Sequence, residues 1–237
     1  MREIFKRDLD GEEIYIEVVL DANRYKSNNP WLVSVFIKYN GLDDSSQAYE
    51  EFLETKESLI IAVEYDDKAK YLGMRVIDGW SELYFCASTA KEFNSMITTM
   101  LKNTNYIYES NIIKDKKWNF YETQLFPTAL EEAYIQSAKI IFLLEEEGDN
   151  LEALRDVEYY ISFETPTSKD RFIDELNLDG FSFKDEISSE EFPYGVAIVK
   201  EHQISEDILK NNINEVFEFM KKYGAFYEGW STTLAIE

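Results

Sequence analysis

The chain has 237 residues, with 24 Lys plus Arg against 47 Asp plus Glu, a net charge of −23 with its single histidine neutral. That balance excludes a surface that tracks nucleic-acid phosphates, and a composition of 45 % hydrophobic and 15 % aromatic residues with only 9 Gly and 4 Pro excludes a disordered chain. The lone cysteine, Cys86, rules out an internal disulfide, and the charged N-terminus MREIFKRDLDGEEIYIEVV has no unbroken apolar stretch for a secretory signal, so a soluble, cytoplasmic protein is expected.

In the first half, residues 14–20 and 31–39 are rich in β-branched and aromatic side chains and read as two strands around the turn-forming stretch 23–30. Ser45-Ser46 caps a helix through Glu57; residues 59–65 read as a strand, Asp66-Asp67 as a turn, and residues 71–77 and 82–87 as two further strands. A helix from Thr89 to about Leu101 places Phe93, Ile97 and Met100 or Leu101 on one face, after which 106–113 and 118–125 return to strand.

Pro127 and Thr128 open a helix whose wide apolar stripe includes Leu130, Ala133, Tyr134, Ala138, Ile141 and Leu144, and Gly148 ends it. Its apolar stretch is far short of the ~20 residues of a membrane span. Tyr159, Ile161 and Phe163 alternate with Glu158, Tyr160, Ser162 and Glu164, the period of a strand with one buried face. After a turn at 165–167 come a short helix with Phe172, Ile173 and Leu176, and a strand pair at 181–187 and 194–200. Ser205 then caps a helix with an acidic first turn and a basic end at Lys221 and Lys222, and residues 226–236 form the closing strand.

The order predicts an α+β protein of two α/β sandwich domains with mainly antiparallel sheets, residues 1–126 and 127–237. The second domain reads as βαββαβ, ferredoxin-like, with an extra leading helix. Four strands and two helices leave one sheet face open, which the leading helix or the first domain is expected to cover. Charge is uneven: residues 1–126 carry 15 basic and 22 acidic groups, net −7, and residues 127–237 carry 9 and 25, net −16.

No catalytic constellation emerges. His202 reads as a loop residue without partners for a metal or triad, Cys86 as a packing residue in an apolar strand, and no Gly-x-Ser-x-Gly elbow or glycine-rich phosphate loop occurs. Asp66-Asp67 and residues 145–149 do not match a calcium loop. No catalytic residue, metal or cofactor is therefore expected. The segment GAFYEGWSTT, residues 224–233, gathers Tyr227 and Trp230 around Gly229, which reads either as a packed corner or as an exposed aromatic anchor.

YEGWST at 227–232, following KKYG at 221–224, resembles the terminal Tyr-Asp-Gly-Trp motif of the family of regulators of ribonuclease E activity B, RraB, and the resemblance extends through the helix at 129–147, GDNLEALRDVEYYISFET at 148–165 and the strand at 196–199. Glu228 stands where that family has Asp, and Tyr159-Tyr160 where it tends to have His. Ahead of it, YLGMRVIDGWSELYFCAS at 71–88 and KKWNFYETQLFPT at 116–128 resemble the domain-of-unknown-function family 695. The first resemblance implies a small, acidic, non-catalytic bacterial protein that binds ribonuclease E and alters its activity.

The expected partner is a basic protein, a ribonuclease being the named case, with no direct nucleic-acid or membrane contact and an open oligomeric state. Tyr227, Glu228, Trp230, Glu158 and Glu164 are the candidate partner contacts. Two alternatives stand beside this: an immunity or antitoxin-like neutraliser of a basic nuclease, and an enzyme with a carboxylate site between the domains.

Overall fold

The computed structural model describes residues 2–40, 46–189 and 192–236. Ser45, one of the two expected capping serines, lies outside them. The chain divides into two compact units, Met1–Phe126 and Pro127–Glu237, each with helices and an antiparallel sheet, an α+β architecture.

The first unit runs β1 (Arg2–Leu9), β2 (Glu12–Val19), β3 (Trp31–Ile37), α1 (Gln47–Glu64), β4 (Ala69–Ile77), β5 (Trp80–Ala87), α2 (Phe93–Leu101) and β6 (Tyr108–Lys114). Its six strands lie in the order β1-β2-β4-β5-β3-β6. Two hairpins are closed by Asp-Gly pairs with both residues at positive φ, Asp10-Gly11 (56° and 88°) and Asp78-Gly79 (51° and 75°), the sign that a tight two-residue turn demands. β1 is a strand that the sequence reading lacks.

Four expectations in this unit are corrected. Residues 59–65 are the end of α1 rather than a strand: Phe52, Lys56, Leu59, Ile60 and Val63 are its buried residues, a helical stripe lying on the sheet that overrides the β-branched composition. Ser46 is the N-cap, as expected of the serine pair, its hydroxyl accepting from Tyr49 N at 3.2 Å. Residues 22–28 form a 3-10 helix, and α2 begins at Phe93 rather than Thr89.

The fourth correction concerns residues 118–125: Trp118 turns the chain at a φ of 61°, and residues 119–125 are helical, with a π-helical stretch over Tyr121–Leu125. Asp115 accepts from the backbone N–H of Asn119 and Phe120 at 3.1 and 3.0 Å, so the chain is capped into a turn before it could extend. Trp118, Tyr121 and Leu125 are then buried. Trp118 Nε1 donates to Asn29 O at 2.8 Å, Tyr121 Oη to Val19 O at 2.7 Å, and the Arg7 guanidinium to the carbonyls of Gln124 and Phe126 at 3.1 and 2.8 Å. This segment meets Leu32, Leu72 and Cys86 on one sheet face, while α1 and α2 pack with Val33, Val35, Leu83 and Phe85 on the other. Both faces of the six-stranded sheet are thus covered within the unit.

The second unit runs α3 (Ala129–Glu146), β7 (Arg155–Phe163), α4 (Pro166–Asp174), β8 (Ser182–Ile187), β9 (Gly195–His202), α5 (Glu206–Met220) and β10 (Ala225–Thr232). Its sheet order is β10-β7-β9-β8 with every neighbour antiparallel, the split βαβ topology preceded by one helix. Thr128 opens α3 with a reciprocal capping box to Glu131, and Ser205 caps α5. Thr165 is the N-cap of α4 rather than part of a free turn, and Lys221 is the C-cap of α5, one residue beyond its last turn.

Val157, Tyr159, Ile161 and Phe163 of β7 point to a core shared with Phe172 of α4 and Leu209, Ile213 and Val216 of α5. The leading helix packs on this same core and does not cover the opposite face as expected. Trp230 Nε1 donates to Ser137 Oγ of α3 at 2.9 Å, and the Lys210 ammonium of α5 lies 5.7 Å from the Tyr134 ring centroid. The physical reason is the apolar stripe of α3, which finds α5 and Trp230 on the dry face, whereas β7 offers Asp156, Glu158, Tyr160 and Ser162 on the other.

Candidate functional site

The face of the second sheet that no helix of its own unit covers is built by strand alternation alone. β7 contributes Asp156, Glu158, Tyr160 and Ser162; their cross-strand partners on β9 are Glu201, Val199, Ala197 and Gly195. Asp156 and Glu201 therefore stand directly opposite each other, both exposed. Like charges in that position repel. On β8, Asp185 opposes Ala197 on the same face.

Lys184 pairs with Glu158, whose hydrogen bond and charge raise the ammonium pKa, with Asp156 adding to the effect. Tyr160 Oη is shared between Glu158 at 3.2 Å and Ser231 Oγ at 2.7 Å, and Ser162 donates to Glu228. Phe226, 52 % exposed, is cross-strand to Ser162 and adds an apolar spot. The arrangement is a polar surface with surplus negative charge.

The five expected contacts separate. Glu158 and Glu228 belong to this hydrogen-bonded face, and Glu164 is exposed just past the end of β7. Trp230 is 6 % exposed and its indole is tied to α3, so the corner is packed and does not present an anchor. Tyr227 is cross-strand to Ile161 on the dry face and lies with its ring 5.1 Å from Phe217; burial drives its hydroxyl pKa up. The bulge between Tyr227 and Gly229 lets Glu228 leave that face and reach Ser162. Sequence reasoning missed Asp156, Lys184 and Glu201, which only the strand register brings together.

The other chemistry-bearing residues have structural roles. His202 is the buried last residue of β9 rather than a loop residue; its Nδ1 bonds Gln203 O at 2.7 Å, leaving Nε2 to accept from Tyr159 Oη at 2.8 Å. Desolvation lowers the imidazole pKa. Burial pushes the Cys86 thiol up to about 12. Asp149, of the Gly-Asp pair after α3, forms a bidentate pair with Arg155 at 2.6 and 2.5 Å, and accepts from Ala235 N at 2.9 Å, clamping the C-terminal tail to the start of β7. Arg155 holds the Asp149 carboxyl below its ordinary pKa. Among the described residues no group of three or more His, Cys, Asp or Glu could hold a metal ion, and no helix is long and apolar enough to cross a membrane.

Residues 3–126 match the model of the Family of unknown function (DUF695), and residues 134–232 match that of the Regulator of ribonuclease activity B, RraB. Among curated proteins none matches the chain. A solved structure described as an unknown protein from Galdieria sulphuraria is 8 % identical, over 87 % of this chain and 99 % of its own, with a TM-score of 0.20, too low to bear on the fold. The chain therefore belongs to the Family of unknown function (DUF695) through its first unit, and its second unit carries the RraB match.

Proposed function

We propose that this protein is a non-catalytic cytoplasmic regulator whose second unit docks, through the carboxylate-bearing face of its sheet, on a basic segment of a partner protein, a ribonuclease in the first instance. The observation that carries the reading is the pairing of Asp156 with Glu201 across β7 and β9, with Lys184 the one cation on the face among the described residues. Two exposed like charges held side by side by backbone register cost stability in the free protein, and a cation from a partner relieves that cost. The RraB match of residues 134–232 supports a ribonuclease as the class of partner, and the net −16 of residues 127–237 would supply long-range attraction that speeds encounter. Regulation then follows from occupancy: the bound unit masks or reorients a basic segment of the ribonuclease without any bond being made.

The test is ribonuclease E cleavage and binding measured with the full chain across a sodium chloride series. Expected is a change in cleavage rate at low salt that fades as salt rises, weakened in D156N/E201Q. Absence of binding at low salt, or binding indifferent to salt and to those substitutions, overturns the reading.

A further inference from the structure

Beside the open face, the second unit has a groove of about 410 Å3 between α3 and the bulged stretch of β10. One wall is a single stripe of α3 that includes Glu132, Ala133, Gln136 and Ile140, and the other runs from Tyr227 to Trp230. Ala133, Ile140 and Trp230 give it an apolar floor, made rigid by the hydrogen bond from Trp230 to Ser137. Gly229, at φ 121°, leaves the space open: a Cβ there would meet nothing within 4 Å. Glu132 and Glu228 line the groove, and among the described residues no Lys or Arg does. Glu228 is oriented by Ser162.

A flexible aliphatic stem ending in a cation matches an apolar floor with a carboxylate rim. A guanidinium matches it better than an ammonium, since it carries five N–H donors, spreads its charge and is more weakly hydrated. We propose that this groove receives an arginine side chain of the basic partner, its stem against Ala133, Ile140 and Trp230 and its guanidinium at the rim formed by Glu132 and Glu228. The inference rests on the regulatory reading above and gives it a point of entry at the edge of the open sheet face, whose Tyr160 and Glu228 also line the groove: long-range charge brings the partner in, and one side chain fixes its register.

The test uses the full-length protein, a short fluorescein-labelled peptide of arginine and leucine, its arginine-to-glutamate counterpart, and purified ribonuclease E in the same buffer. Q136R places a cation in the groove from an exposed helix position, and E132Q/E228Q removes the rim charge. E145Q/E146Q makes the same charge change at the far end of α3, and circular dichroism verifies that each variant is folded. Expected is binding of the arginine peptide, a shift of the Trp230 indole N–H resonance, loss of about tenfold in affinity in Q136R and in E132Q/E228Q, and a change within about twofold in E145Q/E146Q. Ribonuclease binding should fall in the same order. If Q136R binds as wild type does, or if E145Q/E146Q loses as much as the rim variant, charge acts diffusely and the groove inference fails. If the groove variants lose the peptide but keep the ribonuclease, the partner does not enter here and the inference also fails, while the regulatory reading stands. If the unsubstituted protein does not bind the ribonuclease at low salt, it is the regulatory reading that fails.

Discussion

The two sheets of this molecule solve the same problem in opposite ways. The six-stranded sheet is covered on both faces inside its own unit, by α1 and α2 on one side and by the turn of Trp118, Tyr121 and Leu125 on the other. The four-stranded sheet puts all three of its helices on one face and leaves the other to carboxylates, hydroxyls and Phe226. A face covered within its own unit is committed to stability; the polar face of the second sheet is the one to which the proposed reading assigns recognition. The charge follows the same division, −7 for residues 1–126 and −16 for residues 127–237.

The sharpest way to break the comparison is to strip the cover from the first sheet. Trp118→Ala removes a fully buried indole and its hydrogen bond to Asn29, with an expected loss of roughly 4 kcal/mol in urea unfolding. Phe226→Ser on the open face of the second sheet should cost less than about 0.5 kcal/mol, and a comparable loss at both sites would erase the distinction. Next in size is Arg155→Met, expected to lose roughly 3 kcal/mol because it leaves the Asp149 carboxylate buried without its partner. Adding Asp149→Leu should recover part of that loss. Because Arg155 holds the Asp149 carboxyl low, its contribution is present above the ordinary carboxylate range and is lost as pH falls through the folded pKa.

A smaller effect belongs to His202. Its pKa is lowered by burial, so the unfolded chain takes up a proton that the folded one refuses. Stability should therefore decline as pH falls from the ordinary histidine range, about 6.5, toward the lower folded value. His202→Gln should flatten that slope in urea midpoints measured across the range. The smallest effect has the opposite sign. D156N/E201Q should stabilise the second unit by a few tenths of a kcal/mol while weakening salt-dependent binding, a pairing that a purely structural role for these residues would not give.

Much of the second unit was legible because its signals are local. The alternation of Glu158, Tyr160 and Ser162 with Tyr159, Ile161 and Phe163 announces one dry face and one wet face, and Thr128 and Ser205 mark helix starts by side-chain hydrogen bonds to residues three positions on. β1 was also marked, by the Asp10-Gly11 turn, but its charged composition masked it. Residues 118–125 were not legible: aromatic content suggests a strand, and the Asp115 cap together with the distant acceptors Asn29 and Val19 turns residues 119–125 into a helix. In the site, Glu158 and Glu228 could be proposed from sequence, whereas Asp156 beside Glu201 needs the register of β7 against β9.

The sequence by itself determined the acidic balance, the two-unit order of elements, the alternating strand with one wet face and the lack of familiar catalytic motifs. These follow from composition and from interactions within a few residues. Only the tertiary structure decided that Trp230 is buried under α3, that α3 joins the dry face, and which carboxylates stand together. Each depends on burial and pairing between segments distant in the chain, where the apolar surface of one element is satisfied by whichever partner the fold brings to it.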